Sequence, residues 1–236
     1  MCNTKYKVAT KIIAQRFRKV LSKIISKEQF GFMEDRQIHE AIGVAQEGLH
    51  SAKTKKAKGA ILKIDLSKAF DRLSWLYLKL LLTHLGFNYP FIKWIFACIT
   101  TSSFVVLING AASPLFHAER GLRQGCPLSP LLFLLVVEGL SRAILDAKRR
   151  GLFEGLLITS SMSISHLLFV DGILIFCKDS KREAKRLLDI LTLFCKATGM
   201  QINLQKSSLT TLNLEEDMQR SLQALFHIDG PLSRME

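Results

Sequence analysis

Apolar residues recur every three to four positions in two stretches near the start of the chain, which predicts amphipathic helices over residues 5–25 and 37–52. The first helix has Val8, Ile12, Phe17, Val20, Leu21 and Ile24 at helical spacing, and the second carries Ile38, Ala41, Ile42, Ala45 and Leu49 on one face. Capping residues and helix-ending glycines predict five more helices, over 74–85, 90–99, 131–150, 180–198 and 215–226.

Shorter apolar runs between turn residues predict the strands. They lie at 60–65, in a hairpin around Asn109-Gly110, in a second hairpin around Asp171-Gly172, and within 201–212. Asn-Gly and Asp-Gly are strong hairpin signals, because a type I′ turn needs a positive φ at both central positions. Helices interspersed with these few strands predict an α+β protein, with a small, mostly antiparallel sheet backed by helices.

Charge and cysteine content narrow the choice of partners. The 236 residues carry 33 Lys and Arg against 20 Asp and Glu, a net charge of +13, which favours nucleic acid as a partner. Five cysteines without a close pair argue against a disulfide framework or a zinc ribbon. No signal peptide or membrane span is apparent, so we expect a nuclear or cytoplasmic protein with no membrane partner. Oligomeric state is left open.

Two acidic residues stand where strands end. Asp65 closes a buried strand, a position more often filled by a cap or an ion-pair partner than by a metal ligand. Asp171 has two readings, as part of an ordinary hairpin turn or as part of a metal-binding site. If the two strands are neighbours in the sheet, both carboxylates meet at one edge and offer hard oxygen ligands to Mg²⁺.

Two other groups of residues suit contacts with phosphate. One is the Gly-rich loop that contains Arg123, Gln124 and Gly125. The other is a basic patch that is either a solvated loop or a set of phosphate contacts, two readings that are compatible: Lys53, Lys55, Lys56 and Lys58.

Five stretches in order resemble motifs of the reverse transcriptase domain of non-LTR (LINE-type) retrotransposons, in the form common in plant genomes. They are EQFGFMEDRQIHEAI, ILKIDLSKAFDRLSW, NGAASPLFHAERGLRQGCPLSPLLF, SHLLFVDGILIFCK and GMQINLQKSS. The resemblance covers nearly the whole chain and implies a right-hand polymerase with a palm and partial fingers, the thumb being absent. It divides the chain into partial fingers (1–59), palm (60–85), a fingers–palm connection with a hairpin (86–123), palm (124–212) and a truncated connection toward the thumb (213–236).

The resemblance also implies roles for single residues. Asp65 and Asp171 would be the catalytic carboxylates, and would bind two Mg²⁺ ions that serve RNA-templated DNA synthesis from a DNA primer and a dNTP. Residues near the incoming nucleotide would be Leu66, Ser67, Phe70, Arg123, Gln124, Gly125 and Lys206, with Phe70 excluding a 2′-hydroxyl. The template would contact Arg36 and the four lysines of the basic patch.

One position departs from the family pattern. The resembling motif ends in two adjacent Asp residues, whereas this chain has Asp171 followed by Gly172. A metal ligand is therefore lost, and we expect catalysis to be impaired; Gly172 should nevertheless suit the backbone of the hairpin turn. The alternatives are a non-catalytic nucleic-acid-binding remnant of a retrotransposon and a product without function.

Overall fold

The computed structural model describes residues 4–33, 35–101, 103–159, 162–228 and 233–234. The helices are α1 (Thr4–Ile24), α2 (Ile38–Thr54), α3 (Ala69–Arg72), α4 (Trp75–His84), α5 (Tyr89–Thr100), α6 (Ser129–Arg149), α7 (Lys181–Thr198) and α8 (Glu216–Phe226). The strands are β1 (Gly59–Asp65), β2 (Ser103–Phe104), β3 (Leu107–Ile108), β4 (Ala111–Ala112), β5 (Phe116–His117), β6 (Leu156–Leu157), β7 (Ser163–Ile164), β8 (His166–Phe169), β9 (Gly172–Lys178), β10 (Ser208–Leu212) and β11 (Ser233–Arg234). Every helix predicted from the sequence is present.

The main sheet has five strands in the order β11-β10-β1-β9-β8. Strands β10, β1, β9 and β8 pair antiparallel with their neighbours, and β11 adds a short parallel pairing. Strand β9 is therefore hydrogen-bonded on both sides, to β1 and to β8. The predicted small, mostly antiparallel sheet is confirmed.

Both faces of this sheet are covered. Leu62 and Ile64 of β1 join the main core, whereas Ile61 joins a smaller cluster on the opposite face that also includes Ala52 of α2. This alternation follows from the period of two along a strand. The centre of the main core is α6, in which every residue from Leu131 to Val137 is almost completely buried.

Some predicted details are wrong. Five of the apolar positions read at helical spacing are exposed: Val8, Ile12 and Val20 of α1, and Ile38 and Ile42 of α2. The buried face of α2 is formed by Ala41, Gly48 and Ala52. The strand within 201–212 begins only at Ser208. Among the described residues, no helix is long and apolar enough to cross a bilayer.

Candidate active site

Strand β1 and the β8–β9 hairpin end at the same edge of the sheet. Asp65, the last residue of β1, lies opposite Gly172, the first residue of β9. Asp171 occupies the turn that precedes Gly172, and the side chains of Asp65 and Asp171 line one open cleft of about 440 Å³. The sheet therefore brings the two carboxylates together, as the sequence predicted for neighbouring strands.

The turn itself is not where the sequence placed it. Phe169 pairs with Gly172, so the two central residues are Val170 and Asp171, and only Val170 has a positive φ, of 58°. The predicted Asp-Gly type I′ turn is thus wrong. Because β9 is paired on both sides, its register is fixed by two ladders, and a shift of one residue would turn its buried side chains to the other face. The ladders override the local preference of Asp-Gly.

Gly172 consequently has strand geometry rather than turn geometry. Its φ is not in the left-handed region, and a Cβ placed on it would meet only the carbonyl oxygen of Phe169, at 3.3 Å. Gly172 was expected to suit the backbone of the hairpin turn, but it lies outside the two central turn positions and its conformation does not require glycine. Directly opposed residues of an antiparallel pair project from the same face, so a side chain at position 172 would stand beside that of Asp65.

The backbone around Asp65 is held by the segment that follows α7. Asp65 N–H donates to Ser207 Oγ at 3.2 Å, and its carbonyl accepts from Asn203 N–H at 2.8 Å. Ser67 N–H donates to the carbonyl of Gln201 at 2.8 Å. These bonds place the turn that carries Lys206 at the rim of the cleft.

Seven of the predicted site residues line the cleft together: Asp65, Leu66, Ser67, Phe70, Gln124, Asp171 and Lys206. The sequence reading missed four others: Lys68, Ala69, Asp71 and Asn203. Asp71 lies on α3 and its Oδ1 accepts a bond from Gln124 Nε2 at 3.3 Å. Its position six residues after Asp65, just after Phe70, is the signal that would have pointed to it.

Phe70 is both a core aromatic and part of the cleft wall. Its ring stacks on that of Phe133 of α6, with centroids 4.7 Å apart and planes 13° from parallel. Its carbonyl accepts from the N–H of Leu122 at 2.7 Å, which ties the Gly-rich loop to α3. Packing in the core and lining the cleft are therefore compatible at Phe70.

Arg123 and Gly125 do not line the cleft. The guanidinium of Arg123 lies 4.9 Å from the ring centroid of Tyr6, on α1. The hydroxyl of Tyr6 donates to the carbonyl of Cys98 at 2.9 Å, and burial raises the pKa of Tyr6. Gly125 has a φ of 76°, a left-handed conformation that suits glycine.

The predicted template residues lie away from the cleft, and several have protein partners. Arg36 donates from Nη1 to the carbonyls of Ser26 and Gln29. The ammonium of Lys55 donates to the carbonyl of Ile158, and that of Lys58 lies 3.3 Å from Glu215.

His166 is a buried structural residue at the start of β8, away from the turn. Its Nε2 is 2.8 Å from Ser141 Oγ, and its Nδ1 is 3.0 Å from Ser165 Oγ. Burial, and to a lesser extent the charge of Lys148, lower the pKa of His166 from 6.5 to about 4. The ring therefore joins β8 to α6 as a neutral group.

The chemistry of the cleft suits a hard divalent cation, because its carboxylate and amide oxygens are the ligands that Mg²⁺ prefers. The donor set is small, however: within the described ranges, no three His, Cys, Asp or Glu side chains form a metal-binding group. Asp65 and Asp171 fit a cation whose other ligands come from substrate phosphates and water, as is usual for Mg²⁺ at phosphate sites.

Proteins of transposable elements are similar to this chain in sequence. The chain is 27% identical over 208 residues to the Transposon TX1 uncharacterized 149 kDa protein of Xenopus laevis, a match covering 88% of this chain and 16% of that protein. It is 24% identical over 185 residues to the Retrovirus-related Pol polyprotein from type-1 retrotransposable element R2 of Popillia japonica, covering 77% of this chain and 30% of that protein. The chain thus spans less than a third of the length of either relative.

Solved structures share the fold. Apo telomerase from Candida tropicalis, truncated from its C-terminal domain, superposes with a TM-score of 0.64 at 16% identity, covering 90% of this chain and 42% of that one. Residues 1–226 match the family described as reverse transcriptase (RNA-dependent DNA polymerase). With two carboxylates at the strand ends of a palm-like sheet, and with relatives from retrotransposable elements, the chain belongs to the reverse transcriptase family.

Proposed function

We propose that the cleft is the nucleotidyl-transfer site of an RNA-directed DNA polymerase, and that this chain performs the transfer poorly. The observation that carries the proposal is the convergence of Asp65 and Asp171 on one cleft that also contains Gln124 and Lys206. Because the chain spans a small part of its relatives, the RNA template, the DNA primer and the dNTP are proposed as its partners on the strength of the family and the site.

Each group in the cleft has a proposed task. Asp65 and Asp171 would hold Mg²⁺, which would supply Lewis-acid stabilisation of phosphate oxygens. Lys206 offsets negative charge on the triphosphate while the primer 3′-oxygen attacks the α-phosphorus and pyrophosphate leaves. The backbone at Leu66 and Ser67 lies along the triphosphate.

The sugar and base of the nucleotide have separate contacts. Phe70, fixed by its stack on Phe133, forms a wall against the 2′ position of the sugar. Gln124, oriented by Asp71, contacts the nucleotide. Arg123 and Gly125 support this loop from behind the cleft wall, since Arg123 is stacked on Tyr6.

The proposed impairment rests on Gly172. A residue at this position lies opposite Asp65, and glycine provides no ligand there. A Cβ at position 172 meets a single atom within 4 Å, the Phe169 carbonyl oxygen at 3.3 Å, so it needs a shift of a few tenths of an ångström there. Restoring a carboxylate at this position therefore tests the lost ligand without remaking the fold.

Primer extension on poly(rA)/oligo(dT) with Mg²⁺ or Mn²⁺ tests the proposal. We expect Gly172→Asp to raise the extension rate roughly 100-fold or more, since even groups that merely orient metal ligands are worth about 10–100-fold. Gly172→Asn is the matched control, of equal size but without charge, and should give a small part of this gain. Asp65→Asn in the Gly172→Asp background should abolish extension.

Two results would overturn parts of the proposal. Extension by the unaltered chain at the rate of Gly172→Asp would show that catalysis is not impaired. If Gly172→Asp is folded and binds an RNA–DNA hybrid but does not extend it, the second candidate function is correct, namely non-catalytic nucleic-acid binding. The net charge of +13 together with Gly172 favours that candidate over other binding functions.

Template contact by the basic patch is proposed separately. Lys56 is exposed, at a left-handed φ of 50°, beside Lys53, Lys55 and Lys58. The logarithm of the binding affinity falls as the logarithm of the salt concentration rises. If Lys56 contacts a backbone phosphate, Lys56→Ala should reduce the magnitude of this slope by roughly 0.7–0.9. Leu80→Ala, a change at an exposed α4 position without charge, should leave the slope unchanged.

A further inference from the structure

The sheet extends beyond β8 through a segment near the start of the chain, residues 26–31, which we name the edge segment. Phe30 N–H donates to the carbonyl of Leu168 at 2.9 Å, and Leu168 N–H donates to the carbonyl of Glu28 at 2.8 Å. Gln29 forms a parallel bridge with Leu168. The edge segment therefore pairs with the strand that leads into Val170 and Asp171.

Gly31, at the end of the edge segment, lies in close contact with Val170 of the turn. A Cβ placed on Gly31 would lie 2.7 Å from the backbone N of Val170 and 2.8 Å from its Cγ2. Real Cβ atoms do not approach so closely, so only glycine allows this contact. Val170 is β-branched and has a φ of 58°, a conformation that persists only where surrounding structure enforces it.

Two anchors hold the edge segment in place. The guanidinium of Arg36 donates to the carbonyls of Ser26 and Gln29, the second at 2.6 Å, and lies 3.5 Å from that of Ile25. Ser26 donates from its N–H and its hydroxyl to Glu138 Oε2, at 3.0 and 2.9 Å. The side chain of Arg36 thus bonds to three carbonyls, and the buried carboxylate of Glu138 connects the edge segment to α6.

We propose that the edge segment, gathered by Arg36, holds Val170 in its left-handed conformation and so fixes Asp171 at the cleft. Arg36 is then a positioning residue, which acts through Gly31 and Val170 and needs no contact with the template. The part of this inference that concerns metal binding rests on the proposed function. The part that concerns the turn does not.

The first test uses NMR on the unaltered full-length chain and its variants. Gly31→Ala should shift the Asp171 amide resonance and should speed hydrogen exchange of the Leu168 amide at least about tenfold, as expected when a local unit opens more readily. Gly43→Ala is the matched control, because no atom lies within 4 Å of a Cβ there. Adding Val170→Gly to Gly31→Ala, which removes the Cγ2 contact and relaxes the left-handed φ, should restore both signals in part.

Arg36 distinguishes positioning from template contact. Arg36→Lys keeps the charge but loses the fork that reaches several carbonyls, so it should change the Asp171 and Leu168 signals nearly as much as Arg36→Ala. A template contact by charge predicts the opposite: unchanged signals in Arg36→Lys, and a lower salt slope for hybrid binding in Arg36→Ala. That result would overturn the inference, as would unchanged signals in Gly31→Ala.

A second readout links the turn to the site. In the Gly172→Asp background, Gly31→Ala and Arg36→Lys should each weaken Mn²⁺ binding, measured by electron paramagnetic resonance, by roughly 10–100-fold, with Gly43→Ala unchanged. Equal Mn²⁺ affinity in all variants would show that the edge segment does not position Asp171 for metal. If Gly172→Asp itself binds no Mn²⁺, the proposed function fails, and the NMR signals in the unaltered chain alone decide the inference.

Discussion

Two hairpins of this molecule are built on opposite principles. The ribbon of 103–117, in which β2 pairs with β5 and β3 with β4, stands in solvent, with Leu107 72% exposed. The β8–β9 hairpin lies inside the sheet, and Leu168 is completely buried. The ribbon turns at Asn109-Gly110, both with positive φ, whereas the buried hairpin turns at Val170-Asp171.

The comparison of the two hairpins shows when the local residues determine the position of a turn. In the ribbon the arms have few other contacts, so Asn109-Gly110 fixes the turn, and that prediction is confirmed. In the buried hairpin, β1 and β8 fix the register of β9 from both sides. A β-branched residue at positive φ costs about 1–3 kcal/mol, and packing of the surrounding structure offsets this cost. A strained turn beside two carboxylates is typical of a functional site.

The largest expected contrast comes from the same truncation in the two hairpins. Leu168→Ala should lower the free energy of unfolding by about 2–5 kcal/mol, because it leaves a cavity in the core. Leu107→Ala should change it by less than about 0.5 kcal/mol. Urea unfolding followed by circular dichroism measures both; a large loss from Leu107→Ala would mean that the ribbon is packed in solution.

The buried hairpin should also respond to acid. The pKa of His166 is about 4 in the folded chain and 6.5 as the ordinary value, so between these values the unfolded chain binds more protons. Stability is thus fully present above pH 6.5 and falls as the pH drops towards 4, by about 3 kcal/mol in total at 1.36 kcal/mol per pKa unit. Unfolding measured at pH 7 and 4.5 should show this loss, and His166→Gln should remove most of the slope. An unchanged slope in His166→Gln would assign the loss to other groups.

A glycine pair tests where each turn lies. Gly110 has a φ of 86° with open space around it, so Gly110→Ala should cost roughly 1 kcal/mol of local stability, seen as faster exchange of the Ser113 amide. Gly172 is in a strand conformation, and Gly172→Ala should change global stability by less than about 0.5 kcal/mol. An equal loss of stability from Gly110→Ala and Gly172→Ala would indicate that the buried turn is centred on Asp171-Gly172 instead.

The smallest effect should come from the aromatic pair across the ribbon. The rings of Phe104 and Phe116 lie 5.8 Å apart between centroids and are both about half exposed. Phe116→Leu should cost at most roughly 0.5 kcal/mol of local stability, the lower end of what such pairs contribute. Exchange of the Ser113 amide again measures it; no change would leave the Asn-Gly turn as the main determinant of the ribbon.

The sequence predicted the helices because they depend on periodicity. It predicted the meeting of Asp65 with Asp171 only on the condition that their strands are neighbours, which the family resemblance implied. It missed the turn position, because a ladder on each side of β9 is a property of the assembled sheet. The template role of Arg36 was expected only from the family resemblance. Its bonds to the Ser26 and Gln29 carbonyls are tertiary contacts that no local pattern signals. Asn203 reaches the cleft through a loop whose course the pattern does not determine. Asp71 reaches it from the short helix α3, which the sequence did not predict.

The central place of β1 in the sheet has a consequence for synthesis of the chain. Asp65 pairs with Gly172, more than a hundred residues later, so β1 emerges from the ribosome long before its partner. At about 5–20 residues per second, β1 remains unpaired for roughly 5–20 s. During that interval an apolar strand, GAILKID, is open to chaperones or to a wrong strand. We expect co-translational folding of the helices first, and closure of the carboxylate edge as one of the last events.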